Sequence, residues 1–228
     1  MDEIPNFHPM PGNNLLHVGI IPDGGRRWAL ENKCSLNEGY TRSRQLMNLH
    51  VERLLAYGVT DFSIFISSIQ NFCRDYQEIN AMLEAVSSSL ENEIDKLSGQ
   101  HGLRVVVAGK RSMLPVSLIK AVENAEERTR GNRKGTLNLL LAYDPIEEIL
   151  HAFNSSANHE RFYEDLWITK PVDLVIRTGG AILLSNFLPL QCGYARLYCY
   201  DKLFNDFTTE DLDEVVHQFS MIERKFGR

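Results

Sequence analysis

The stretch Leu15–Trp28, LLHVGIIPDGGRRW, decides how the rest of the chain is read. A short apolar run ends in Pro22 and Asp23, and Gly24, Gly25, Arg26, Arg27 and Trp28 follow at once. Such a run is a buried strand, and the paired glycines let backbone N–H groups approach an anion where a helix begins. Arg26 and Arg27 add fixed positive charge, while Asp23 offers a hard oxygen ligand of the kind Mg²⁺ takes. The segment is therefore a candidate seat for a diphosphate and a metal. Taken alone, it is also what an ordinary strand-to-helix turn with solvated arginines looks like.

A second segment changes that balance. The run Val172–Arg177, VDLVIR, ends in Arg177-Thr178-Gly179-Gly180, and Ser185-Asn186-Phe187 follow shortly after. Again a strand closes on a basic residue and paired glycines. In a parallel sheet, ligands sit outside the carboxyl ends of the strands, so the two loops are expected to face one crevice. Two diphosphate seats at one crevice suit an enzyme that joins two diphosphate esters.

Between these loops the pattern alternates strand and helix. Thr60–Ser67, Leu103–Ala108 and Thr136–Tyr143 read as buried strands, and Ala195–Tyr200 as a last one. Helices are expected over Ala29–Tyr57, with Leu46, Leu49, Leu54 and Leu55 on the apolar face, and over Pro115–Thr129 and Pro145–Phe153. A long helix is expected from Tyr76 to Leu97, its Ile79, Met82, Leu83, Val86, Leu90 and Ile94 packing in the core or walling an apolar tunnel. The predicted fold class is α/β, with a central, mainly parallel six-stranded sheet flanked by helices and joined by right-handed crossovers.

The 228 residues are read as one domain, 1–228, large enough to bury a core without disulfides or structural metal. A net charge of −6 argues against broad nucleic-acid binding. Cys34, Cys73, Cys192 and Cys199 are scattered without a CxxC pair, which disfavours a zinc site and fits a reducing cytosol. No apolar run reaches the roughly 20 residues of a membrane span, and MDEIPNFHPMPGNN is polar rather than a signal peptide, so a cytoplasmic location is expected. Trp28, Phe187 and Phe207 are read as core or wall side chains and His17 as a structural histidine. His50, His101, His151, His159 and His217 lack metal-site spacing. NSSANH, residues 154–159, is expected to be a polar loop.

HVGIIPDGGRRW, QNFCR, DLVIRTGG with SNF, and YARLY with LFNDF together resemble the cis-prenyltransferases, typified by undecaprenyl diphosphate synthase, over about His17 to Gly227. The resemblance implies a homodimer, Mg²⁺, and condensation of an allylic diphosphate with isopentenyl diphosphate. By position, Asp23 matches the aspartate that guides Mg²⁺ and the departing diphosphate. Gly24, Gly25, Arg26, Arg27 and Arg74 fall in the pocket for the allylic diphosphate, and Arg177 and Ser185 in that for the second diphosphate. The C-terminal ERKFGR resembles a segment that reaches a partner's active site, or it simply frays.

Departures from the family pattern cluster on the site. Gly25 replaces an asparagine, Leu36 an arginine and Tyr40 a histidine; Gln70 stands for a glutamate. Ala181, Ile182 and Leu183 replace polar or charged residues of the acceptor pocket, and Arg196 replaces a glutamate. Loss on the acceptor side with the leaving-group residues kept resembles the branch that couples two allylic diphosphates irregularly, as lavandulyl and cyclolavandulyl diphosphate synthases do. Asp23, Arg27 and Tyr40 are then the expected catalytic set. Tyr40 or Arg196 would hold the displaced diphosphate, with a purely structural tyrosine as the alternative. Two other outcomes stay open: regular chain elongation with isopentenyl diphosphate, and a non-catalytic subunit of a prenyltransferase heteromer.

Overall fold

A computed structural model describes residues 15–155 and 161–225. The polar start of the chain, most of NSSANH including His159, and the end of ERKFGR lie outside the described residues.

Six strands form one sheet: β1 His17–Ile21, β2 Asp61–Phe65, β3 Leu103–Ala108, β4 Gly135–Leu140, β5 Leu174–Arg177 and β6 Arg196–Cys199. Their order is β3-β4-β2-β1-β5-β6, and every pairing is parallel. The helices among the described residues are α1 Gly25–Glu31, α2 Leu36–Ala56, α3 Tyr76–Asn92, α4 Ile94–His101, α5 Val116–Thr129, α6 Pro145–Ser155 and α7 Thr209–Ser220. None of them is long and apolar enough to cross a membrane.

The sheet explains why its strands read as unbroken apolar runs, because both faces are covered. On one face Val18, Ile20, Leu137, Leu139, Leu174 and Ile176 join the larger core. Alternate residues Ile21, Leu140 and Val175 join a smaller cluster on the other face, with Tyr143, Phe187 and Leu188. β1 lies between β2 and β5, with Val18 level with both Phe62 and Leu174. The chain builds outward from β1 on one side, then crosses to build β5 and β6 on the other. That reversal opens a crevice at the carboxyl ends of β1 and β5.

Two long helical stretches break. Residues 29–57 form two helices, because Ser35 caps a new start: its hydroxyl accepts from Glu38 N–H while the Glu38 carboxylate accepts from Ser35 N–H. The buried face of α2 is Met47, His50, Val51 and Leu54; Leu46 and Leu55 are half-buried, and Leu49 is exposed. The stretch 76–97 breaks at Glu93, which closes α3 and opens α4. His17 is structural, its Nε2 2.8 Å from Ser63 Oγ and its Nδ1 3.0 Å from the Pro171 carbonyl. Phe187 and Phe207 are buried. Trp28 donates to Asp206 and carries the Arg42 guanidinium over its ring.

Candidate active site

Asp23 follows β1 by two residues, where its N–H donates to the Ile21 carbonyl. Gly24 then takes φ 116°, in the left-handed region, and a Cβ there would press into Leu203 at 2.8 Å. The Asp23 carbonyl accepts from Thr178 Oγ1 at 2.8 Å and from Phe204 N–H at 3.1 Å. Two distant segments thus hold one residue. Its carboxylate accepts from Arg27 Nη2 at 3.2 Å on one oxygen and from Arg177 Nη2 at 2.9 Å on the other.

Arg177 ends β5 and is nearly buried. Its Nη1 donates to Ser185 Oγ at 2.7 Å and to the Leu183 carbonyl at 2.8 Å, while Nε has no partner. Arg27 Nη2 also donates to the Gly179 carbonyl at 2.9 Å. Gly179 has φ 82°, and a Cβ there would stand 2.4 Å from Arg27 Nη2. Only glycine lets the two loops meet this closely.

Opposite this cluster, Arg26 and Arg74 converge on one carboxylate. Arg74 Nη1 donates to Glu78 Oε1 at 2.7 Å and Arg26 Nη1 to Oε2 at 3.2 Å, with the Glu78 side chain only 10% exposed. All of the expected diphosphate-binding residues, Gly24, Gly25, Arg26, Arg27, Arg74, Arg177 and Ser185, line one cavity of about 470 Å³ together with Asp23 and Tyr40. Four guanidiniums face two carboxylates in and beside it, a surplus of two positive charges that favours an anionic ligand. Burial, with a contribution from Glu78, pushes the Tyr40 hydroxyl up, so at neutral pH it is a phenol able to donate a hydrogen bond.

An apolar cavity of about 160 Å³ adjoins the first and shares Gly25, Tyr40, Phe65, Ile66 and Met82 with it. Met82 and Val86 of α3 and Ile94 of α4 line it, so the expected stripe both packs in the core and walls a cavity. Gly25 stands at the junction. A Cβ there would meet Ser43 Oγ at 3.0 Å, so a larger residue would narrow the passage between the charged and apolar spaces.

Some expected residues stand apart. Ile182 is 83% and Leu183 51% exposed, and with Ala181 they lie outside the charged cavity; Leu183 contributes its backbone carbonyl to Arg177. Arg196 is exposed and pairs with Leu174, at the far end of the strand pair from Arg177 and Cys199. Other residues that build the site were not singled out in sequence. Glu78 was signalled only by its i,i+4 spacing from Arg74. Thr178 lies within the RTGG motif, which by itself gives it no role. Asn205, which accepts from Ser43 and donates to the Gly39 carbonyl, lies within the LFNDF motif, which gives it no role.

For a metal the donor set is small. Asp23 supplies one half-exposed carboxylate, and among the described residues no group of three or more His, Cys, Asp or Glu side chains could hold an ion. That fits Mg²⁺, which binds through one or two carboxylates with substrate phosphates and water completing its shell.

The profile of the undecaprenyl diphosphate synthase family, described as prenyltransferases, matches residues 21–227. The isoprenyl transferase of Fusobacterium nucleatum is 31% identical over 226 residues, covering 96% of this chain and 98% of that protein. The structure of lavandulyl diphosphate synthase from Lavandula x intermedia with dimethylallyl diphosphate superposes with a TM-score of 0.86 at 28% identity, over 93% of this chain and 98% of that one. A probable undecaprenyl diphosphate synthase from Campylobacter jejuni gives a TM-score of 0.75 at 26% identity, over 94% and 99%.

Proposed function

Because the chain belongs to the undecaprenyl diphosphate synthase family and is a prenyltransferase of isoprenoid biosynthesis, we propose that it condenses two dimethylallyl diphosphates head-to-middle. The product is a branched or cyclised C10 diphosphate of the lavandulyl or cyclolavandulyl type. The observation that carries this reading is the apolar cavity. At about 160 Å³ it is close to the roughly 150 Å³ cavity that holds one benzene, space for a short prenyl chain. The likeness to the lavandulyl synthase and the opening at Gly25 support the same conclusion.

In this reading Arg26, Arg27 and Arg74 hold the donor diphosphate, and Arg177 with Ser185 holds the acceptor's. Mg²⁺, held by Asp23 and diphosphate oxygens, would supply charge neutralisation to the leaving group. The donor C1–O bond breaks with its electron pair leaving on the diphosphate, and the cationic side chains stabilise that charge as it develops. The acceptor double bond then attacks C1 through its C2, leaving a cation at C3. Loss of a proton to the released diphosphate gives the neutral hydrocarbon skeleton. Tyr40, as a phenol, donates to a diphosphate oxygen, and Ala181, Ile182 and Leu183 flank the acceptor loop.

The chain works as a homodimer, a reading supported by exposed apolar residues Ile146 and Leu150 on α6 and Leu197 on the edge strand β6. Four free cysteines support a cytoplasmic setting. A second reading, regular elongation with isopentenyl diphosphate, is favoured by the isoprenyl transferase relative. Retention of Asp23, Arg27, Arg74, Arg177 and Ser185 around one cavity stands against a non-catalytic subunit.

Incubation with Mg²⁺ and dimethylallyl diphosphate alone should yield a C10 diphosphate. No product from that substrate alone, with linear products once isopentenyl diphosphate is added, would establish the second reading instead.

A further inference from the structure

We infer that an ion pair between Arg44 of α2 and Glu93, at the break between α3 and α4, sets the length of prenyl chain the apolar cavity accepts. The inference rests on the reading that this cavity receives a prenyl chain.

Arg44 and Asn48 lie on the α2 face that lines the cavity, one helical turn apart. Arg44 Nη1 pairs with Glu93 Oε1, and Asn48 Nδ2 donates to Glu93 Oε2 at 2.9 Å. Both oxygens of one carboxylate are thereby anchored to α2. Glu93 is also where the helix breaks, with φ −121° and ψ −32°, its N–H still donating to the Ser89 carbonyl. The next residue, Ile94, and Leu97 one turn on are buried and line the cavity together with Met47 and Val51. The tie to α2 therefore fixes where α4 begins and how far its apolar side chains stand from α2.

The chemistry of this wall also opposes a longer hydrocarbon. The Arg44 and Glu93 side chains are 19% and 28% exposed, and the Arg44 Nε is buried with no partner. An alkyl segment pushed into this seam would strip water from an ion pair and gain no hydrogen bond in return. Elsewhere the cavity is lined by Met47, Val51, Ile64, Met82, Val86 and Leu139, surfaces on which each added carbon is favourable. A growing or bound chain is accommodated on that apolar surface and arrested at the polar tie. Arg44 and Glu93 are thus specificity-determining positions that lie outside the lining of the charged cavity.

Calorimetric titration of unreactive thiolodiphosphate esters carrying C5, C10 and C15 prenyl chains tests this without turnover. The wild-type protein should bind the C10 ester at least about tenfold more tightly than the C5 ester, and gain nothing further at C15. Removing both partners together leaves no stranded charge, so Arg44→Ala/Glu93→Ala should bind C10 as the wild type does and gain at least about tenfold at C15. If that variant does not fold, Arg44→Met/Glu93→Leu replaces the ion pair with apolar side chains of similar bulk and gives the same comparison with the same expected gain. The inference is overturned if wild-type affinity keeps rising through C15, if it does not distinguish C5 from C10, or if the folded variant gains nothing at C15. Whether dimethylallyl diphosphate alone gives a C10 product is scored separately on the wild type, so the condensation reading can fail while the length limit stands.

Discussion

Arg177 Nη2 donates to Asp23 Oδ2 across 2.9 Å, joining loops 154 residues apart in the chain. The other Asp23 oxygen is held by Arg27, so the carboxylate is presented to the cavity by two cations that are themselves diphosphate ligands in the proposed reaction. A diphosphate arriving in this cavity would compete with Asp23 for both guanidiniums, and Asp23 is the residue that would hold Mg²⁺ there.

Asp23→Asn keeps an oxygen for Arg177 and removes the charge. The expected result is a fall in kcat of about 10²–10³, with a melting temperature within a few degrees of wild type. Because Asp23 is a lone carboxylate, Mg²⁺ binding measured by calorimetry should appear only when a diphosphate ester is present.

Glu78 holds Arg26 and Arg74 together, although their side chains are 61% and 44% exposed. Glu78→Ala leaves two like charges to drift apart into water, so the donor seat loses its preset spacing. The expected effect is a rise in KM for dimethylallyl diphosphate of about tenfold with a smaller change in kcat, the sign of lost binding shared by ground and transition states. Steady-state kinetics over a range of donor concentration checks it.

The sheet was legible because each strand is a short apolar run bounded by turn residues, and the two glycine loops were legible because each follows such a run with paired glycines beside arginine. Two helix breaks, at Ser35 and Glu93, interrupt the helical patterns. At Ser35 the signal is local, a Ser-x-x-Glu capping box set within an otherwise continuous helical pattern. At Glu93 no local signal exists, since Leu90 and Ile94 keep their spacing across the break, and contacts to Arg44 and Asn48, more than forty residues earlier, hold Glu93 at the break. Arg196 shows the converse limit. A motif gives its place in the chain, but strand register puts it level with Leu174, away from Arg177.

Gly25→Asn restores a large side chain where a Cβ already lies 3.0 Å from Ser43 Oγ. Ser43 cannot retreat freely, since its hydroxyl lies within hydrogen-bond distance of both the Gly39 carbonyl and Asn205 Oδ1. Overpacking here should cost about 1–3 kcal/mol of stability, read as a lower denaturant midpoint. It should also lower C10 formation from dimethylallyl diphosphate alone by about tenfold or more, because the passage at the donor's first carbons narrows.

Stability should also depend on His17 between neutral and mildly acidic pH. Its Nδ1 faces the Pro171 carbonyl and must carry the proton, while Nε2 accepts from Ser63, whose oxygen in turn accepts from Asn138. That network fits a neutral ring. Burial holds its pKa below the ordinary value despite the opposing charges of Asp61 and Asp173. The unfolded chain therefore takes up the proton first, at about pH 6.5. Above that pH the contribution is fully present. Below it, unfolding free energy falls by about 1.4 kcal/mol per pH unit until the folded pKa is reached. His50, buried against Phe204 and Phe207, has its pKa lowered by burial as well and adds a second slope of the same sign. Urea unfolding at pH 7.5, 6.5 and 5.5 should show stability decreasing across the lower interval. In His17→Gln one of the two slopes should vanish. Equal slopes in the two proteins would mean that His17 titrates alike in the folded and unfolded chain, contrary to its burial and hydrogen bonding.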